Sequence, residues 1–271
     1  MIGSTLNLQI NVDRPGRFLV WGLAFRQQMR PLAHIWLESL LKIGKWNHDI
    51  LLLGDEIVPE FAAPRLKTIN IVKDIEVRYN FPRQKWNRWT YNNLKSQILN
   101  YIDPATYDYL LYLDIDVFVN SNRLESLVRN KWEKGLIAVQ RDRTPLDEGR
   151  LRSLAKMGMP DVTEKDRWAQ RPICAGIIGF PMNFLGLSIL QDYCEACVKM
   201  RFNLSDQAKL TALLNRKYDG SWDFFGDTTH GQRSAPPYDE TLIHFTGRKK
   251  VFIEPYFKSR LSISTIDLST K

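Results

Sequence analysis

Two carboxylates one residue apart, Asp114 and Asp116, interrupt the most apolar stretch of the chain, which runs from Tyr109 to Val119. Residues i and i+2 of a strand face the same side, so a continuous strand over 109–119 would set the two side by side with Ile115 opposite. Flanks as apolar as Tyr-Leu-Leu-Tyr-Leu before and Val-Phe-Val after imply a strand covered on both faces. Burying one unpaired carboxylate costs several kcal/mol, and a like-charged neighbour adds to the cost. A hard divalent cation with oxygen ligands is the simplest neutraliser, and such a cation commonly holds a substrate phosphate as well. An arbitrary Asp-x-Asp is more often a solvated cap after a strand has stopped. Here the apolar residues on both sides favour the metal.

Other residues could carry chemistry by type, although an isolated histidine such as His244 is more often structural. His244 is followed by Gly247 and Lys250. Asp206-Gln207 opens a helical pattern, where Asp206 could also serve only as a cap. Lys95 lies in a basic, aromatic segment, 81–95, and by itself would be an ordinary solvated charge. His34, on an apolar helix, is expected to be packed structure, and His48 to lie at the surface, while His230 could face a second substrate. Cys194 and Cys197 have metal-like spacing, but no second pair exists and they sit in a helical pattern, so they are expected to be plain thiols.

These residues need a scaffold, and the order of elements supplies one. Strands are expected at 18–25, 49–53, 66–72, 109–119, 136–139, 173–180 and 240–245, with helices at 31–43, 89–101, 187–200 and 205–215. The stretch 141–171 is polar, and 218–240 reads as a loop rich in Gly, Asp and Trp. Strand–helix–strand order at short spacing argues for a doubly wound α/β sheet. No repeat or linker divides the chain, so 1–271 is expected to form one domain, with a first half at about 18–120, a second half at about 121–258 and a tail at 259–271.

Composition narrows the function classes. The chain has 271 residues, 44% hydrophobic and 25% charged, which excludes a disordered tail, a collagen or a disulfide scaffold. Its three cysteines are an odd count and point to a reducing compartment. No apolar run approaches the length of a membrane-spanning helix, and 18–25 reads as a buried strand rather than a signal-peptide core. A cytoplasmic protein is expected, with peripheral contact to the inner membrane face left open. Net charge is +8, which favours anionic partners.

Taken in order, these features resemble the GT-A-fold glycosyltransferases, and among them the family 8 retaining galactosyl- and glucosyltransferases. The resemblance rests on Lys95-Ser-Gln-Ile-Leu-Asn, on Tyr109 through Asp114-Ile-Asp116-Val, on Cys174-Ala175-Gly176, on Asp206-Gln207, and on His244 with Gly247 and Lys250. It implies a Rossmann-like mixed sheet flanked by helices and a nucleotide-diphosphate sugar donor, UDP-linked in the usual case. It implies a Mn2+ (or Mg2+) ion held by Asp114, Asp116 and His244. Gly247 would let the backbone approach the diphosphate, and Lys95 and Lys250 would contact it. Ala175 and Gly176 would leave room for the sugar ring. Asp206 would hold sugar hydroxyls, and Gln207 would lie near the anomeric carbon. A neutral amide is a poor nucleophile, so retention through a front-face, oxocarbenium-like path is implied rather than a covalent intermediate.

The chain also departs from that pattern. The first strand ends Trp21-Gly22-Leu-Ala-Phe-Arg-Gln without an acid, so Trp21 or backbone groups near Gly22 are expected to replace the base-reading side chains. Cys174 stands where the family has Asn. The basic segments 81–95 and 248–260 suit an anionic acceptor: a glycan, a lipid-linked sugar or DNA. Two other classes fit the residues less well. A phosphohydrolase of the haloacid-dehalogenase type would use Asp114 as nucleophile, but that class normally begins with this strand and needs a further acidic pair. A non-catalytic basic binding module would leave the acidic pair unexplained.

Overall fold

The computed structural model describes residues 15–142, 173–231 and 238–266. The chain opens with β1 (Phe18–Ala24), every residue of which is buried, as expected of a strand covered on both faces. Next comes α1 (Arg30–Glu38), with Pro31 in its first turn, which winds into a π-helical turn at Ser39–Ile43. β2 (Asp49–Gly54) and β3 (Leu66–Asn70) follow in parallel, then α2 (Val72–Tyr79), whose start is held by the Asn70 side chain accepting from the Val72 amide at 3.1 Å. α3 (Arg88–Asn93) begins with a capping box between Asn87 and Thr90 and tightens into a 3-10 helix at Leu94–Asn100. The Ser96 hydroxyl donates to the Asn93 carbonyl at 2.8 Å, a local bond that competes with regular α-helix and fits the tighter winding.

β4 (Tyr109–Leu113) pairs in parallel with β1, and β5 (Val117–Val119) follows after a turn. Then come α4 (Leu124–Glu133), β6 (Ile137–Arg141), β7 (Ile173–Pro181), α5 (Phe184–Lys199) and α6 (Asp206–Arg216). β8 (Trp222–Phe224), β9 (Thr228–His230), β10 (Leu242–His244), a 3-10 turn at Gly247–Phe252 and α7 (Ile253–Ile266) complete the described chain. A seven-stranded sheet has the order β3-β2-β1-β4-β7-β6-β8, with β7 antiparallel to both neighbours. A smaller sheet, β5-β10-β9, stands beside it. One apolar layer packs the face under α5 and α6, and a second packs the face under α1 and α4.

Several expectations change. The strand over 109–119 is not continuous: β4 stops at Leu113, and the chain turns through Asp114–Asp116, with the Val117 amide donating to the Asp114 carbonyl at 2.8 Å. It then leaves the large sheet, because β5 pairs with β10 in the small one. The helices α2 and α4 lie mostly in stretches for which no element is expected, and the strands β8 and β9 lie in the expected loop 218–240. His34 is exposed with its ring 4.6 Å from that of Phe61, and so is not packed core. His48 is half-buried, with its ring against Phe18 and Trp46. Cys174, Cys194 and Cys197 are free. Most of the polar stretch, 143–172, lies outside the described residues.

Candidate active site

The turn after β4 brings the two carboxylates together by a route other than strand alternation. Asp114 is tied to the large sheet, its amide donating to the Gly176 carbonyl at 2.8 Å. Asp116 is tied to the small sheet, its carbonyl accepting from the Phe245 amide at 2.9 Å. His244, the last residue of β10, stands between them. Its Nε2 lies 3.3 Å from Asp116 Oδ1 and 3.7 Å from Asp114 Oδ2. One ligand atom from each of Asp114, Asp116 and His244 lies within 4.8 Å of the others, a set able to hold a metal ion.

β7 shapes this site through an irregularity opposite β6. Register passes from Val139↔Ile178 to Gln140↔Cys174, so Ala175–Ile177 bulge away from β6. The bulge releases two carbonyls from that ladder. Gly176 O serves the Asp114 amide, and Ala175 O accepts from Lys95 Nζ at 2.6 Å. It also turns the Gly176 Cα toward His244: an added Cβ would sit 2.0 Å from His244 Cε1. The space that Gly176 leaves open is therefore occupied by the His244 ring, not by a sugar. On the other side, Gln140 Oε1 lies 2.7 Å from His244 Nδ1, while Gln140 Nε2 donates to the Thr229 carbonyl at 3.2 Å. That orientation makes Nδ1 the donor and leaves the Nε2 lone pair for the carboxylate side, the tautomer a metal ligand needs. Cys174 Sγ also approaches Nδ1, at 3.5 Å.

A second buried network adjoins the first. Lys95, in the 3-10 helix, is 2% exposed and reaches Asp206 Oδ2 at 2.9 Å and Asp114 Oδ1 at 3.5 Å. Its ammonium lies 4.4 Å over the Tyr112 ring, and the Tyr112 hydroxyl donates to Asp114 Oδ1. Asp206 is not the cap of α6: Ser205 fills that place, accepting from the Ala208 amide at 3.3 Å. Gln207 donates to the Asp142 carboxylate. Lys250 Nζ lies 2.9 Å from Asp116 Oδ2, and Gly247, exposed at φ 62°, has a backbone conformation suited to glycine.

Charges in this cluster hold one another. Burial disfavours the charged form of Asp116, but His244 and then Lys250 outweigh it and hold its carboxyl far below the usual range. Burial likewise opposes charge on His244, yet the Cys174 sulfur and the Asp116 carboxylate raise its pKa well above the ordinary histidine value. Lys95 is raised despite its burial, by Asp114 and then Asp206. Without an added cation, the three carboxylates of Asp114, Asp116 and Asp206 face the His244 ring and the two ammonium groups of Lys95 and Lys250.

Trp21 and Gly22 do not join the site. Trp21 is 1% exposed, inside the layer under α5 and α6, with its ring 5.3 Å from that of Tyr112 and 6.3 Å from that of Phe180. Gly22 faces the other layer, where an added Cβ would meet Trp36 at 3.0 Å and the Leu113 carbonyl at 3.2 Å. Both lie inside the β1 ladder and not past its end, which is why neither is available for base contact. The cleft of about 310 Å³ that opens on Asp114 and Asp116 is walled instead by residues beyond β1 and on α3, among them Phe25, Arg26, Arg88 and Tyr91. The Arg26 guanidinium lies 4.6 Å over the Tyr91 ring. The alternating basic and aromatic residues of 81–95 are the signal that could have marked this wall. His230 is buried, its Nε2 3.1 Å from the Arg141 carbonyl and its ring 5.7 Å from that of His244.

The mixed seven-stranded sheet flanked by helices, with a small second sheet beside it, is a GT-A fold. Three solved structures make the likeness concrete. The galactosyltransferase LgtC, solved with donor and acceptor sugar analogues, is 12% identical, with 90% of this chain and 95% of that one covered at a TM-score of 0.55. The mouse xyloside xylosyltransferase 1 is 13% identical, over 86% of this chain and 98% of that one, at a TM-score of 0.53. The bifunctional glycosyltransferase WbbM is 14% identical over 93% of this chain and 50% of that one, at a TM-score of 0.59. No protein-family profile and no curated protein sequence matches the chain.

Proposed function

We propose that the protein is a metal-dependent glycosyltransferase that moves a sugar from a nucleotide-diphosphate donor, UDP-linked in the first instance, to an acceptor hydroxyl with retention of configuration. The observation that carries this reading is the convergence of Asp114, Asp116 and His244 at the end of β4 within a GT-A fold. Two carboxylates and one neutral imidazole fit Mn2+ well, since the imidazole is softer than the all-oxygen sets that Mg2+ favours. A tautomer pinned by Gln140 supports the same assignment. When bound, the ion supplies charge neutralisation at the diphosphate oxygens as the bond to the sugar breaks.

The remaining roles belong to the chain's own side chains. Lys250, at the mouth of the site, would pass from Asp116 to a diphosphate oxygen as a mobile point charge. Asp206, fixed by Lys95, would accept from sugar hydroxyls. Gln207 would present its amide near the anomeric carbon, where a neutral side chain suits a front-face path. Phe25, Arg26 and Tyr91 would take the base in place of Trp21. Arg26 and Arg88 on the rim, with a net charge of +8, suit an acceptor that carries negative charge. No helix among the described residues is long and apolar enough to cross a membrane.

Thermal unfolding in the presence of Mn2+, UDP or both tests the site directly. The expected result is a shift with both together that exceeds the sum of the separate shifts. A screen of nucleotide sugars for Mn2+-dependent donor hydrolysis should then identify the donor, and Asp116→Ala should abolish that turnover while remaining folded. Full activity in Asp116→Ala, or phosphate release from simple esters in place of donor hydrolysis, would overturn the proposal.

A further inference from the structure

The loop between α5 and α6 is held in a conformation its residues do not favour. Arg201, Phe202 and Leu204 have φ of 47°, 52° and 68°, in the left-handed region that side chains with a Cβ avoid. The loop runs directly into Ser205 and Asp206, so whatever holds it fixes where Asp206 and Gln207 sit.

Two buried side chains do the holding. Asn93, at the end of α3, donates from Nδ2 to the Leu204 carbonyl at 2.9 Å and, less closely, to the Phe202 carbonyl at 3.4 Å, besides the Trp89 carbonyl at 2.6 Å. Its Oδ1 accepts from Lys209 Nζ at 2.5 Å. Lys209, one helical turn beyond Asp206, donates also to the Asn203 carbonyl at 2.6 Å. Both side chains are fully buried, and the partners of the Lys209 ammonium are neutral oxygens. An ammonium buried against neutral oxygens is costly to desolvate, and its two hydrogen bonds return only part of that cost. What it supplies is directional: two donors aimed at the loop and at the residue that braces it.

The placement relates this pair to the site. Asn93 lies two residues before Lys95, which grips Asp206. Its neighbours Tyr91 and Asn92 line the cleft. We infer that Asn93 and Lys209 form a positioning clamp that braces the strained Arg201–Leu204 loop, so that Asp206 is held against Lys95 beside Asp114 and Gln207 against Asp142. Neither residue touches the cleft, so both act through the loop. The kinetic part of this inference rests on the transferase reading, and the conformational part does not.

The test compares wild type with Lys209→Met, which keeps volume and removes the donors, and with Lys209→Gln, which restores a neutral donor. Mn2+-dependent turnover of a nucleotide sugar, Mn2+·UDP affinity by calorimetry and amide exchange across 200–207 are measured on each full chain. Lys209→Met should lower kcat at least tenfold, leave the Mn2+·UDP Kd within twofold and speed exchange at Phe202–Gln207 only. Lys209→Gln should recover part of both losses, and it carries the test if the Met variant does not fold. Unchanged kcat, unchanged exchange in the loop, or a loss of affinity as large as the loss of kcat would overturn the clamp. If wild type turns over no nucleotide sugar, the transferase reading fails, and the exchange measurement alone decides the clamp.

Discussion

Replacing Gly176 with alanine is the smallest change that should disable the metal centre. The added Cβ would stand 2.0 Å from His244 Cε1, 2.7 Å from Nδ1 and 2.8 Å from Nε2. Carbon atoms settle at about 3.5–4.0 Å, so ring and strand must part by about 1.5 Å or more. The strand has little freedom to yield: Leu113 pairs with Ile177, and Gly176 O holds the Asp114 amide at 2.8 Å. The ring must move instead, and a metal–nitrogen bond tolerates only about 0.2 Å. Loss of His244 as a ligand should weaken Mn2+ binding by about 100-fold or more, at or beyond the upper end of what removing a group that only orients a ligand costs. Overpacking should also lower the stability of the ion-free protein by about 1–3 kcal/mol. Isothermal titration with Mn2+ on Gly176→Ala, beside Gly226→Ala, where an added Cβ meets nothing within 4 Å, isolates the effect. Wild-type Mn2+ affinity in Gly176→Ala would refute the assignment of His244.

Three further outcomes follow from the same geometry. The pKa of His244 is raised by the Cys174 sulfur and Asp116, and a ligand must be neutral, so Mn2+ binding should displace a proton wherever the ion-free ring is charged and should tighten as pH rises, by up to about tenfold per pH unit; calorimetry in buffers of different ionisation enthalpy counts the proton, and a pH-independent affinity contradicts the arrangement. Gln140→Leu removes the acceptor at Nδ1 and should weaken Mn2+ binding about 10- to 100-fold without unfolding the chain, as titration would show. Lys95→Met strands the Asp206 carboxylate in the interior and should cost about 3–5 kcal/mol in denaturant unfolding, with much of it regained in Lys95→Met/Asp206→Asn.

The central features of the site are written in local pattern. Asp114 and Asp116 stand out because apolar residues flank them, whereas His244 stands out only through the resemblance, which gives meaning to Gly247 and Lys250 at their offsets. The α/β order of β1, β2, β3 and β4 is equally plain in their apolar runs. What is hidden depends on contacts distant in the chain. The break after Leu113 answers to a second sheet formed with β10, about 130 residues away in sequence, and alternation alone argues for a continuous strand. The bulge at Ala175–Ile177 leaves no local mark, so Gly176 reads as space for substrate when it is space for an imidazole. Trp21 misleads in a different way: an aromatic near a strand end suits a stacking role, but the pleat turns it under the sheet onto Tyr112. Helices α2 and α4 are short, of 8 and 10 residues, and polar on average, although α4 does keep Leu124, Val128 and Trp132 at helical spacing.

The turn at Asp114–Asp116 is also the seam between two sheets, one hydrogen-bonded to each side of it. A cation seated there would stitch them, because Asp114 belongs to the large sheet by its amide, while Asp116 and His244 belong to the small one. Ligand linkage then sets the gain: a cation at 100 times its Kd adds about 2.7 kcal/mol to global stability. The supply of free cation would thus govern how long the chain resists proteases and heat, in addition to whether the cleft is competent.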